Sequence, residues 1–163
     1  MMTNKELNVA IKKELKEAGY NVKDFSVSVK DCGYSTSIRV TVKSPYVNRK
    51  EVESILKHYE EYEVDGRTYE ILEGGNTYLF IEYAYGIFDE VAQKWAATAR
   101  GLMDSQEETT RIFNGLYLIN LEHSGRLEIR QHNEKERATF RCTTFRELCI
   151  FLYKFATFGT IAA

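Results

Sequence analysis

The clearest pattern of apolar and polar positions runs from Asp24 to Tyr59. Phe25, Val27 and Val29 alternate with Ser26, Ser28 and Lys30, and after Asp31 to Tyr34 a second alternation places Ile38, Val40 and Val42 on one face. Such alternation predicts a half-buried antiparallel hairpin. Ser44 and Pro45 stop the second strand. Asn48, with Glu51 three residues later, starts a helix carrying Val52, Ile55, Leu56 and Tyr59 at helical spacing. Upstream, Thr3 and Glu6 form a capping box for a first helix with Leu7, Ile11, Leu15 and Ala18 as its apolar stripe and Gly19 at its end.

Thr68 to Leu72 and Thr77 to Tyr85 read as two further strands joined through Gly74 and Gly75. The second has Tyr78, Phe80 and Glu82 on one face and Leu79, Ile81 and Tyr83 on the other, which predicts a central strand. After Gly86 a longer helix carries Ile87, Val91, Trp95, Ala99 and Leu102. Ser105 and Glu108 form a second capping box, predicting a break and a short helix to Phe113. Strands follow over Leu116 to Leu121, Arg126 to Gln131 and Arg137 to Cys142, and Thr144 and Glu147 cap a last helix. The expected class is α+β: antiparallel sheets with helices on one face, an α-β-β-α-β-β unit over 1–86 followed by an α-β-β-β-α unit over 87–163. The link is short enough for the two to share one core.

The last helix is apolar almost all round. That argues for deep burial or for a partner interface, with Phe151, Tyr153, Phe155 and Phe158 as candidate homodimer contacts.

Composition changes this picture little. A chain of 163 residues buries roughly 70% of its unfolded surface without needing metal or disulfide. The 11 Tyr and 9 Phe make it aromatic, which suits binding surfaces and half-exposed sheet faces alike. A net charge of −2 excludes a strongly basic nucleic-acid binder and a strongly acidic nucleic-acid mimic. Cys32, Cys142 and Cys149 lack any C-x-x-C spacing, so reduced, buried thiols in a cytoplasmic protein are expected. No apolar leader opens the chain, and Leu148 to Phe158 is too short to span a membrane and contains Lys154.

Local charge carries the candidate function. Between Glu51 and Glu73 stand Glu51, Glu53, Glu60, Glu61, Glu63, Asp65, Glu70 and Glu73 against only Lys57 and Arg67. This is either a solvated helix end and turn or a surface for a basic protein partner. Lys5, Lys12 and Lys16 form a stripe on the first helix that is solvated or tracks phosphate. Arg126, Arg130, Arg137 and Arg141 fall on one face of the last strand pair, with only Glu128 among them. Like charges facing each other across strands are costly unless something negative sits on them, such as nucleic-acid phosphate or the acidic stretch itself. His58, His123 and His132 read as surface residues, no catalytic group or metal-ligand spacing stands out, and no cofactor is expected.

The run from Ile11 to Gly19, the strands Ser26 to Val29 and Ser37 to Val40, the helix Glu51 to Leu56, and Gly75 to Phe80 together resemble a domain family associated with large polyvalent proteins of phages and conjugative elements. The similarity covers about residues 4–85. The turn differs from the family's glycine- and serine-rich one, reading Cys32, Gly33, Tyr34, Ser35 and Thr36. The resemblance supplies no active-site residues. It implies a setting: a non-catalytic mobile-element protein that binds a host defence protein, as an anti-CRISPR or anti-restriction inhibitor or adaptor. The alternative is a nucleic-acid-binding accessory module that uses the arginine face.

Overall fold

The computed structural model describes residues 2–72, 75–104, 109–112, 116–121, 126–132 and 137–159, with 109–112, 116–121, 126, 131–132 and 137–138 described by backbone alone. The expected second capping box at Ser105 and Glu108 lies outside the described residues. The chain divides into two compact units, Met1–Ile87 and Phe88–Ala163.

In the first unit, helix α1 (Asn4–Glu17) begins with Thr3 and Glu6 in a reciprocal capping box, as their spacing predicts. Gly19 follows with φ +91°, a left-handed conformation that glycine adopts without a steric penalty. Strands β1 (Phe25–Cys32) and β2 (Ser35–Val42) form the expected antiparallel hairpin, with Val27 opposite Val40 and Val29 opposite Ile38. Helix α2 (Arg49–Leu56) starts at Asn48, whose side chain accepts the Lys50 N–H at 3.0 Å.

Strand β3 (Thr77–Tyr83) departs from expectation. It runs parallel to β2, with Ile38 beside Leu79 and Val40 beside Ile81. The sheet order is β1-β2-β3, so β2 is central and β3 lies at the edge. Thr68 to Leu72 forms no strand; Ile71 makes only an isolated bridge with Val64. The unit is therefore α-β-β-α-β. The sequence read β3 as central because both faces carry aromatics. Its outer aromatic, Phe80, is in fact 48% exposed, on the sheet face opposite α1 and α2.

On the covered face, Ile11 and Leu15 of α1, Val52 and Leu56 of α2, and Phe25, Val27, Ile38, Val40 and Val42 of the sheet form one core, with Leu79, Ile81 and Tyr83 at its margin. The other face carries Ser28, Arg39 and Phe80 in one register row; Arg39 lies over the Phe80 ring and pairs with Glu82 at 3.4 Å.

In the second unit, the expected single helix is broken into α3 (Asp89–Ala92), a 3-10 turn over Gln93–Trp95, and α4 (Ala96–Met103). Phe88, Ala92, Ala99 and Leu102 are its buried residues. In place of a short helix to Phe113 there is a strand, β4 (Thr109–Ile112), antiparallel to β5 (Leu116–Leu121). Strands β6 (Arg126–His132) and β7 (Arg137–Cys142) complete a sheet of order β4-β5-β6-β7.

Helix α5 (Phe145–Phe158) is capped by Thr144 and Glu147 as predicted. Its Phe151 ring stacks on Phe140 of β7 at 4.5 Å, and Tyr153 packs on Phe88. Phe151, Tyr153 and Phe155 are buried and Phe158 is half-buried, in keeping with the first of the two expectations for this helix, deep burial. Cys142 and Cys149 are buried as expected, whereas Cys32 is exposed beside the β1–β2 turn.

Replacing Ile38, fully buried on the central strand, with Ala should destabilise the protein by about 2–5 kcal/mol, the cost of lost burial plus a cavity. Urea unfolding monitored by circular dichroism measures this; a loss under about 0.5 kcal/mol would contradict the central position of β2.

Candidate protein-binding surface

The chain between α2 and β3 folds back as an open hairpin. Glu61 and Thr77 exchange backbone hydrogen bonds of 3.0 and 2.6 Å, and Val64 bridges Ile71. The tip closes where the Asp65 carboxylate accepts the N–H groups of Arg67 at 2.7 Å and Thr68 at 2.9 Å. Those bonds, Thr68 first, hold the Asp65 carboxyl below its ordinary pKa. They also divert the N–H of Thr68 from any strand ladder, which is one reason that the predicted strand does not form. Tyr69 follows with φ +59°, a rare conformation for a bulky residue, and its N–H donates to the Asp65 carbonyl.

One residue ties this hairpin to the sheet. Asn76 is only 3% exposed. Its Nδ2 donates to the Leu72 carbonyl at 2.7 Å and to Tyr78 Oη at 3.1 Å, while its Oδ1 accepts the Glu63 N–H at 3.4 Å. Buried amides at such a junction are costly to replace, because several partners lose a bond together.

Held this way, the hairpin exposes its apolar side chains. Tyr62, Val64, Tyr69, Ile71 and Leu72 are between 42% and 82% exposed, interspersed with exposed Glu61, Glu63 and Glu70. A run of large apolar groups within an acidic surround is the composition of an interaction surface.

The acidic residues singled out in the sequence do not form one patch. Glu51 accepts the Tyr20 hydroxyl at 3.0 Å, and burial together with that carboxylate raises the Tyr20 pKa. Glu53 and Glu60 line a groove of about 320 Å³ between α2 and β3, beside Arg49 and Lys57. Glu61, Glu63, Asp65 and Glu70 belong to the hairpin, and Glu73 lies outside the described residues.

The arginine reading gains a registry. Arg130 pairs with Thr139, Glu128 with Arg141 and His132 with Arg137, so Arg126, Arg130, Arg137 and Arg141 occupy rows of the same face. Glu128 at its centre is 5% exposed, with Arg130 Nη2 at 2.9 Å and Arg141 Nε at 3.3 Å on its two carboxylate oxygens. Burial alone would raise the Glu128 pKa, but the hydrogen bonds and charges of Arg130 and Arg141 outweigh it and hold the carboxyl below its ordinary value. The negative group expected on this face is thus supplied in part by the face itself. On α1, Lys5 and Lys16 are exposed and Lys12 is half-buried; an ion pair there joins Lys13 to Glu17.

Among the described residues no group of three His, Cys, Asp or Glu could hold a metal ion, and no helix is long and apolar enough to cross a membrane. Burial pushes the Cys142 thiol to about 11 and that of Cys149 upward, so both are neutral. His58 lies 3.3 Å from Glu14, exposed on the surface. A cavity of about 690 Å³ near the start of α1 contains Asp31, whose carboxylate accepts from Asn4 at 2.8 Å and Thr36 at 3.4 Å. Comparison with family models, curated proteins and solved structures finds no match to the chain.

Sequence reasoning missed Asn76 and the exposure of the hairpin's apolar groups. The signal for the second was present: Asp65 and Gly66 form a turn dipeptide, with Val64 before it and Ile71 beyond it.

Replacing Asn76 with Ala should loosen the hairpin by about 1–3 kcal/mol and speed amide exchange at Glu63 and Leu72 while the β1–β2 amides stay protected. Equal exchange in both proteins would remove Asn76 from this role. For Glu128, the depressed carboxyl contributes stability that is present above its unfolded pKa and lost as pH falls through the folded value. The Tm gap between the protein and its Glu128→Gln variant should therefore be widest at neutral pH and close in acid, as pH falls through the depressed value. A gap independent of pH would contradict the pairing.

Proposed function

We propose that the protein acts by binding another protein, without catalysis, and that the Glu61–Leu72 hairpin is the contact. The observation that carries this reading is the hairpin itself: five large apolar side chains are held in solvent by backbone hydrogen bonds and one buried amide. Leaving them exposed forgoes burial worth about 1.5–3 kcal/mol for each large side chain, which a partner can recover. The acidic surround favours a basic partner surface and repels nucleic acid, so a nucleic-acid-handling protein whose groove is basic fits best. In the setting that the resemblance to polyvalent-protein-associated domains implies, this is an inhibitor or adaptor from a phage or conjugative element, working in the host cytoplasm on a defence protein of the CRISPR or restriction type.

A second reading rests on the arginine rows. Arg130 and Arg141 remain exposed although both contact Glu128, which leaves donors of each guanidinium for phosphate. Oligonucleotide binding of that origin weakens steeply with added salt and falls in the Arg130→Glu variant.

The tagged full-length protein, incubated in lysate of a related bacterium with and without nuclease and read by mass spectrometry, should retain one stoichiometric host protein in both conditions. The Tyr69→Ala and Ile71→Asp variants should each lose at least about 2 kcal/mol of that affinity at unchanged Tm, as central interface residues do. Partners that all vanish on nuclease treatment would sink the protein-binding reading in favour of the arginine face. Full retention by both variants would move the contact away from the hairpin.

A further inference from the structure

The outer edge of β3 is open at its middle. Asn76 C=O accepts the Thr36 N–H, and Ala84 N–H donates to the Val42 carbonyl, both at 2.8 Å, so even-numbered backbone groups along β3 face β2 and odd-numbered ones face outward. Of the outward groups, Thr77 is closed by Glu61, and the Ile81 carbonyl receives only a long 3.5 Å contact from Arg49 Nη1. Among the described residues, the N–H and C=O of Leu79 and the N–H of Ile81 have no partner. Unpaired edge groups of this kind are a template for another strand.

Beside this edge lies the groove of about 320 Å³, with Leu79 to Glu82 as one wall and Arg49, Glu53, Lys57 and, past the end of α2, Glu60 as the other. Arg49, Glu53 and Lys57 stand four apart, so they line one helical face about 6 Å from each other along the axis. Their charges alternate: positive, negative, positive. Same-face residues of an extended strand recur about every 6.6 Å, close to that spacing. In addition, Arg49 Nε is buried without a hydrogen-bond acceptor among the described residues, which leaves a guanidinium donor for a carboxylate.

We infer that the α2–β3 groove binds an extended segment of another protein by strand addition to β3, and that the segment carries acidic, basic and acidic residues at alternate positions facing Arg49, Glu53 and Lys57. Backbone bonds to Leu79 and Ile81 supply affinity, and the alternating charges set the sequence and register. A second copy of this chain is a poorer occupant. A two-fold at Phe80 would set the incoming Tyr83 opposite Thr77, where Glu61 already sits. This surface is separate from the hairpin, and the inference goes beyond the function proposed above.

The test uses the full chain and short labelled peptides that alternate valine or threonine with charged residues, read by fluorescence anisotropy. A peptide with glutamate, lysine and glutamate at alternate positions should bind at least about tenfold tighter than its lysine, glutamate, lysine counterpart. The Arg49→Glu, Glu53→Lys, Lys57→Glu triple variant should reverse that preference. N-methylation of the peptide backbone on the edge facing β3 should abolish binding to the unaltered protein, an arm that does not depend on how well the triple variant folds. The Ile71→Asp variant should keep its peptide affinity, which separates this groove from the hairpin contact. Equal affinity for the two peptides, binding that survives N-methylation, or binding of neither peptide would overturn the inference.

Discussion

The first unit depends on β2 being covered on one face and paired on both edges. Ile38, Val40 and Val42 are fully buried, and each stands in a register row that reaches from β1 to β3. Because side chains along a strand alternate with period two, a one-residue slip would send this whole set into solvent. That fixes where β1 and β3 lie, and with them the helices: α1 and α2 have their apolar stripes over the same face and form one core with it. Everything exposed on this unit is what remains after β2 has been satisfied.

Two features follow from that arrangement. With β2 central, β3 is left at the edge, and Thr77 at its start is paired outward by Glu61. The same Glu61 opens the hairpin, so the chain that closes one end of the edge also projects the apolar residues from Tyr62 to Leu72. A strand whose middle is open among the described residues and a protruding apolar hairpin are surfaces suited to partners. Its buried thiols and hydrogen-bonded carboxylates are engaged in structure. In the second unit the same economy operates on charge: Glu128 is inside the arginine rows and lets Arg130 and Arg141 approach each other.

Much of this was legible in the sequence. Alternation gave β1 and β2 with their inward faces, and the cap residues Thr3, Asn48 and Thr144 marked three helix starts correctly. The parallel pairing of β3 was not legible, because alternation reports which face a strand buries and says nothing of its neighbour. Thr68 to Leu72 misled because five residues of strand-like composition carry no information about the Asp65 side chain that claims the Thr68 N–H. The acidic stretch was visible as composition, yet Glu51, Glu53 and Glu63 go to three different places once α2 and the hairpin are formed. Glu128 looked incidental among four arginines and proves to be the buried centre of their face.

The central claim, that partners meet the first unit at the hairpin and the β3 edge, is tested most directly by an amide-exchange footprint. Exchange would be measured by mass spectrometry on the free protein and on the protein captured with its host partner. The account predicts new protection at Tyr62 to Leu72, extending to Leu79 and Ile81 if the partner also adds a strand. Protection confined to β6, β7 or α1, with the hairpin amides exchanging as in the free protein, would contradict it and point to the basic surfaces instead.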